Sequence, residues 1–204
     1  MKDLLKCSKI RSMDATLQNI KDVVWANDKQ RFELICLNDG ESDNPADYKI
    51  WAAQGHTMKV IKDEELLTLI EFPWNFDTVV HGTYKDAWNI IKDKGLNRMA
   101  WNHIHFAIGY SMKDGVISGM RSSCDIFIEI NLAKAMADGY MFYISSNGVI
   151  LCPGDEKGTL PPTYFSWVIS RSTGQIIFEQ IYDNIIVYDF EAICREDGKE
   201  KYEV

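Results

Sequence analysis

The 204-residue chain has five cysteines, Cys7, Cys36, Cys124, Cys152 and Cys194, and none of them forms a CxxC pair. An odd, scattered set argues against both a disulfide framework and a zinc knuckle, so these thiols are expected to be reduced packing residues. No run approaches the roughly 18 apolar residues of a membrane span. The opening MKDLLKCSKIRS also lacks the apolar stretch and cleavage site of an export signal, so an intracellular protein, cytoplasmic or nuclear, is expected. No G-x-G-x-x-G opens a helix and no Walker loop is present, which excludes the usual phosphate cradles at helix N-termini. Internal repeats and low-complexity tracts are absent too. A uniformly basic surface is excluded by the net charge of −8, which weighs against indiscriminate nucleic-acid binding.

What is present is ordinary in bulk and uneven in detail. Apolar residues make up 46% and charged residues 25% of a chain long enough for one large domain or two compact lobes. Residues 1 to 31 carry seven Lys or Arg against four Asp, a local excess of +3, while the rest carries 15 basic against 26 acidic groups, or −11. A polyanion would meet the N-terminal part first, although the same charges suit a solvated helix face.

Pro73 in EFPWNFD, after an acidic, Leu-rich, helix-like stretch, marks a lobe boundary, giving units of residues 1–72 and 73–204. In the first, DATLQNIKDVVWAN predicts a helix with Leu17, Ile20, Val23 and Val24 on one face and Asp14 as N-cap. RFELICL and YKIWAA read as strands around a polar loop. Helix then hairpin suggests a small winged-helix-like unit. In the second, TVVHG, HIHFAI, CDIFIEI, GYMFYIS, NGVILC, SWVIS and GQIIFEQIYDNIIVYDF read as strands, the last two as a hairpin around a Ser-Thr-Gly turn. KDAWNIIKDKGL reads as a helix ended by Gly95, and NLAKAMAD as a shorter one. Strands with singly inserted helices favour an α+β core over a doubly wound parallel sheet.

Three of the four histidines fall within 25 positions, as His81 in VVHGTY and His103 and His105 in NHIHFAIG, with Arg121 of GMRSS close behind. Imidazoles and a fixed positive charge on short strands beside glycines suit a nucleotide's phosphates and hydroxyls. In HGT, Gly82 permits close backbone approach and Thr83 offers a hydroxyl. A metal site is not expected, since His103 and His105 point to opposite faces of a strand and no thiolate or carboxylate completes a tetrahedral set.

Taken in order, NDKQRFEL, AAQGHT, VVHGTY, HIHFAIG, GVISGMRSS and SSNGVIL resemble the tRNA 2′-phosphotransferase family, a branch of the ADP-ribosyltransferase superfamily, over about residues 20 to 165. The resemblance implies a winged-helix lobe that meets RNA and a split β-sheet lobe that binds NAD as co-substrate, with no metal. It implies NAD contacts from His81, Gly82, Thr83, His105, Ser118, Arg121, Asn147 and Val149, with His105 near the nicotinamide and Val149 where many relatives in the superfamily carry a glutamate. It assigns phosphate chemistry to Arg31 and Arg121, and RNA contacts to Lys29, Arg31 and His56. His103 is left to structure.

The reaction implied moves an internal 2′-phosphate from spliced tRNA to NAD, through an RNA-phospho-ADP-ribose adduct. It yields RNA with a free 2′-hydroxyl, nicotinamide and ADP-ribose 1″,2″-cyclic phosphate. Tethered guanidinium groups suit the charge that builds on phosphate in both steps. Such a phosphate, already anionic, has less need of a base, in keeping with Val149. A monomer without membrane contacts is expected. The family pattern also opens with a Leu-Arg-His run that residues 1 to 30 do not match, which implies an N-terminally incomplete lobe. Two alternatives therefore stand beside the transferase: an ADP-ribosyltransferase that caps nucleic-acid phosphates, and a weakened NAD or ADP-ribose binding module.

Overall fold

The computed structural model describes residues 1–38, 40–55, 66–110, 119–121 and 123–180. The first unit begins with two short helices, α1 (Lys2–Lys6) and α2 (Ser8–Arg11), neither of which buries a residue. A capping box starts α3 (Leu17–Trp25): Thr16 accepts from the Asn19 amide, and the Asn19 side chain accepts from the Thr16 amide. Thr16, not Asp14, is therefore the N-cap. The apolar stripe also needs correction, since Val23 is 61% exposed. The facing hairpin covers only a narrow strip of the helix, which Lys21 shares by laying its buried side chain over the Tyr48 ring, with Nζ 4.6 Å from the centroid. That hairpin pairs β1 (Phe32–Cys36) with β2 (Tyr48–Ala52), in register from Phe32 opposite Ala52 to Cys36 opposite Tyr48. Among the described residues up to Gly55, Tyr48 and Ala53 are the buried apolar ones, so the core between α3 and the hairpin is thin.

The rest is α+β, built on a mainly antiparallel eight-stranded sheet. Its strands are β3 (Leu67–Leu69), β4 (Val79–Thr83), β6 (Ile104–Ile108), β7 (Ile126–Ile130), β8 (Tyr143–Ser145), β9 (Ile150–Cys152), β11 (Phe165–Ser170) and β12 (Ile176–Glu179), in the order β12-β11-β7-β4-β6-β9-β8-β3. β5 (Leu96–Asn97) and β10 (Thr159–Leu160) form a separate two-stranded pair. The helix-like reading before Pro73 is corrected at residues 67–69, where a strand pairs with β8. Pairing at this edge satisfies the backbone groups of β3 and those of the β8 edge together. The large sheet thus takes its edge strand from before Pro73. Residues 56–65 of the same stretch lie outside the described residues.

One sheet face carries the main core. Ile126, Ile128 and Ile130 of β7 alternate onto it with Val79 and Phe106, and α4 (Lys85–Lys94) and α5 (Leu132–Ala137) cover it with Trp88, Leu132 and Ala135. Burying each of the Val, Ile, Leu and Phe side chains there contributes about 1.5–3 kcal/mol. The opposite face holds a smaller cluster of Val80, Ala107, Met120, Cys124 and Phe127. The strand β6 divides between two neighbours. Ala107 and Ile108 pair with β4, whereas Ile104, His105 and Phe106 pair with β9. β4 diverges in the same way, pairing with β6 through Val79 and Val80, while His81, Gly82 and Thr83 pair only with β7. The sheet therefore forks, and the fork opens at His81 and His105.

Candidate active site

His81 Nδ1 donates across the fork to the His105 carbonyl at 2.9 Å. This bond uses a backbone acceptor that a continuous ladder would have consumed, and it leaves Nε2 of a neutral His81 as the ring's acceptor. Burial lowers the pKa of His81, and the bond to the His105 carbonyl opposes that only in part. His105 is held down to about 4, first by burial and then by the neighbouring His103 and His81. Both rings are neutral near pH 7. The His81 ring meets Phe106 edge-on at 5.9 Å, and His105 meets the half-exposed Trp101 edge-on at 6.2 Å. A Cβ added at Gly55 would lie 4.0 Å from both His105 Nε2 and Trp101, so the first unit reaches the fork through the turn after β2. His103 is buried against Tyr143.

Arg121 comes to this place on a tightly tacked loop. Gly119 has φ +86 and approaches Phe106 so closely that a Cβ would lie 2.4 Å from its carbonyl oxygen, a position that only glycine fills without strain. Met120 then packs into the space left by Gly82, where a Cβ would lie 2.2 Å from Met120 Cγ. The bare face of Gly82 is thus filled by protein. Further along, the Cys124 carbonyl accepts from Arg171 at 3.2 Å, and the Asp125 amide donates to the Thr83 carbonyl at 2.9 Å. Thr83 itself is buried. The Arg121 side chain remains exposed.

The first unit is bound to the same loop. Lys29 Nζ donates to the Met120 carbonyl at 3.1 Å, and the Lys29 carbonyl accepts from Asn147 Nδ2 at 2.9 Å. Asn147 Oδ1 in turn accepts from Ser145 Oγ at 2.7 Å. Ser146, beside it, donates to Glu33. Two residues past Lys29, Arg31 has its backbone fixed on both sides, its amide donating to Asn27 and its carbonyl accepting from Ala53, while its side chain is exposed.

Lys29 is thus linked by hydrogen bonds to Asn147 and to the Met120 carbonyl beside Arg121, Gly82 packs on Met120, Thr83 is bonded to Asp125 and His81 to His105, while Arg31 follows two residues after Lys29. Val149 is fully buried, with its backbone tied to Ser145, and has no accessible surface for direct ligand contact. Those bonds close the turn that carries Asn147. Ser118 and His56 lie outside the described residues. Among the described residues no group of three or more His, Cys, Asp or Glu is placed to hold a metal, and no helix is long and apolar enough to cross a membrane. Burial raises the Cys124 thiol and pushes Cys152 up to about 12, so both are inert.

Sequence reasoning missed Tyr84 and Ser123. Their hydroxyls lie 2.8 Å apart, and hydrogen bonding to Ser123 and then to Arg121 lowers the Tyr84 phenol. The signal was present, because both residues end the motifs HGTY and GMRSS.

The two arginine-bearing segments thus meet at one forked sheet. Residues 1–154 match the RNA 2′-phosphotransferase, Tpt1 / KptA family. The chain belongs to this family. It is 42% identical over 167 residues to tRNA 2′-phosphotransferase 1 of Danio rerio, covering 81% of this chain and 71% of that protein. It is 40% identical over 163 residues to the human protein of the same name, covering 79% and 61%. A putative tRNA 2′-phosphotransferase of Schizosaccharomyces pombe is 40% identical over 176 residues, covering 86% and 45%. This family member therefore spans less than two thirds of the human and fission-yeast proteins.

Proposed function

We propose that the protein removes an internal 2′-phosphate from RNA, as from spliced tRNA, and transfers it to NAD. The observation that carries this reading is the tether from Lys29 to Met120, which fixes the segments bearing Arg31 and Arg121 against the His81–His105 fork. In this reading the first unit is a winged-helix-like RNA lobe and the forked sheet is an ADP-ribosyltransferase-like NAD lobe.

The residues at the fork fit NAD. A neutral His81 has an acceptor nitrogen suited to a ribose hydroxyl, and Trp101 beside His105 offers a flat apolar surface to a planar ring. NAD, when bound, supplies an anomeric carbon that bears a cationic leaving group and the ribose that finally carries the phosphate as a 1″,2″-cyclic ester. Neutral imidazoles matter here. Two imidazolium ions would repel the nicotinamide cation, and the low pKa of both rings avoids that.

Arg31 and Arg121 hold the phosphate. A guanidinium stays charged throughout and binds phosphate through two parallel hydrogen bonds, so charge is stabilised wherever it moves during transfer. Tyr84 and Ser123 orient Arg121. Lys29 acts through the Met120 carbonyl to place that loop. No side chain needs to deprotonate the phosphate, which suits the buried Val149 of the β8–β9 turn.

Incubation with NAD and a short RNA carrying an internal 2′-phosphate tests the reading. Expected are nicotinamide, RNA with a 2′-hydroxyl and ADP-ribose 1″,2″-cyclic phosphate. Loss of nicotinamide with ADP-ribose retained on the RNA would instead identify a capping enzyme. NAD binding without turnover would identify a binding module.

A further inference from the structure

A shallow cleft of about 270 Å³ lies between the end of α3 and the start of β1, lined by Val24, Trp25, Gln30, Phe32 and Glu33 and closed on one side by Asn147 of the β8–β9 turn. Its volume falls just below the roughly 300–1,000 Å³ of pockets for drug-sized ligands, so it suits a single ring system. Two aromatic residues line it although the fold does not require them there: Trp25 is 71% and Phe32 is 41% exposed. Gln30 sits on its wall at φ +44, a left-handed conformation that an L-residue adopts at some cost.

The lining chemistry selects the occupant. No cation lines the cleft, and the Glu33 carboxylate would repel a phosphate. Apolar faces with amide and carboxylate groups at the rim match a nucleobase, which has a flat face and a hydrogen-bonding edge. Arg31 stands between Gln30 and Phe32 in the chain with its side chain exposed, and residues 1 to 31 carry the excess of +3. A polyanion drawn to Arg31 would therefore bring its bases to the cleft.

We propose that this cleft holds a base of single-stranded RNA next to the nucleotide whose 2′-phosphate meets Arg31. The proposal rests on the RNA reading above and adds a subsite for a flanking base, with Trp25 and Phe32 as the stacking surface. Such stacking tolerates different bases because every base has a π face. Substrates would thus be recognised by an unstacked neighbour as well as by the phosphate.

The test is fluorescence anisotropy with a short labelled RNA carrying an internal 2′-phosphate, in the absence of NAD. Trp25→Ala should weaken binding about tenfold, the range expected for one stacked base, while Trp25→Phe should restore most of it. In the unaltered protein, an abasic nucleotide at one flanking position should weaken binding similarly. At that position Trp25→Ala should add little, because the two changes remove the same contact. Equal binding by Trp25→Ala, or losses that add at every abasic position, would overturn the subsite. So would a variant whose RNA binding is intact while its KM for NAD rises, since the cleft would then serve the adenine of NAD. Base-dependent binding without phosphate transfer would leave the subsite standing and sink the transferase reading alone.

Discussion

Lys29 and Met120, 91 positions apart in the chain, meet through a 3.1 Å hydrogen bond from the lysine Nζ to the Met120 carbonyl. One residue beyond Met120 lies Arg121, and two beyond Lys29 lies Arg31. The bond therefore sets the relation between two cationic segments that no local sequence feature could set. Positioning errors of about 1 Å can cost roughly 10²-fold in rate, so under the proposed function loss of this tether is expected to lower turnover.

Lys29→Met should lower kcat about tenfold or more and leave the KM for NAD unchanged. Asn147→Ala should act in the same direction, and the double variant should be less impaired than the two losses multiplied, because both residues belong to one network. Steady-state kinetics with separately varied RNA and NAD would check it. A rise in RNA KM at constant kcat would return Lys29 to a direct phosphate contact.

Arg121→Lys should be nearly as damaging as Arg121→Ala, each lowering kcat by about 10²-fold. Lysine keeps the charge but not the two-pronged geometry that phosphate transfer uses. Single-turnover assays of 2′-phosphate loss give the readout. A fully active Arg121→Lys enzyme would show that charge alone suffices.

Gly119→Ala should abolish most activity while the protein remains folded. The added Cβ meets the Phe106 carbonyl oxygen, a backbone atom that cannot swing aside, and the positive φ adds strain. Gly82→Ala should be milder, since the atoms it meets, Met120 Cγ at 2.2 Å and Cys124 Sγ at 3.0 Å, belong to side chains and not to the backbone. Activity compared at matched circular dichroism would rank the two.

The depressed pKa of His105 has a defined effect on stability. Its folded value of about 4 lies below the ordinary 6.5, so the unfolded chain binds the extra proton between those values. Stability should therefore be full above about pH 6.5 and fall as pH drops towards 4. Thermal unfolding of the unaltered protein and of His105→Gln across pH 4 to 8 should show a weaker acid loss in the variant. Parallel curves would remove His105 as the cause.

Much of the architecture was legible. Runs of β-branched and aromatic residues bounded by turn signals located β1, β2, β4, β6, β7, β8, β9, β11 and β12, and Gly95 marked the end of α4. The misses have physical reasons. Residues 67–69 read as helix because the Leu-rich composition suits either state, and the free edge of β8 decided the matter. Thr16 displaced Asp14 as cap because only Thr16 is three residues before Asn19, the spacing a capping box requires. Tyr84 and Ser123 were overlooked since their meeting depends on how the loop before β7 returns over β4.

The amino-acid sequence by itself determined the α+β pattern, the ordered motifs that mark the family, and the arginines able to hold phosphate, because periodicity and side-chain chemistry are local properties. Only the tertiary structure decided that the sheet forks at His81 and His105, that Met120 packs into the space left by Gly82, and that Lys29 ties one unit to the other. Those features depend on backbone groups brought together across long stretches of chain, where steric fit and unsatisfied hydrogen bonds select one arrangement.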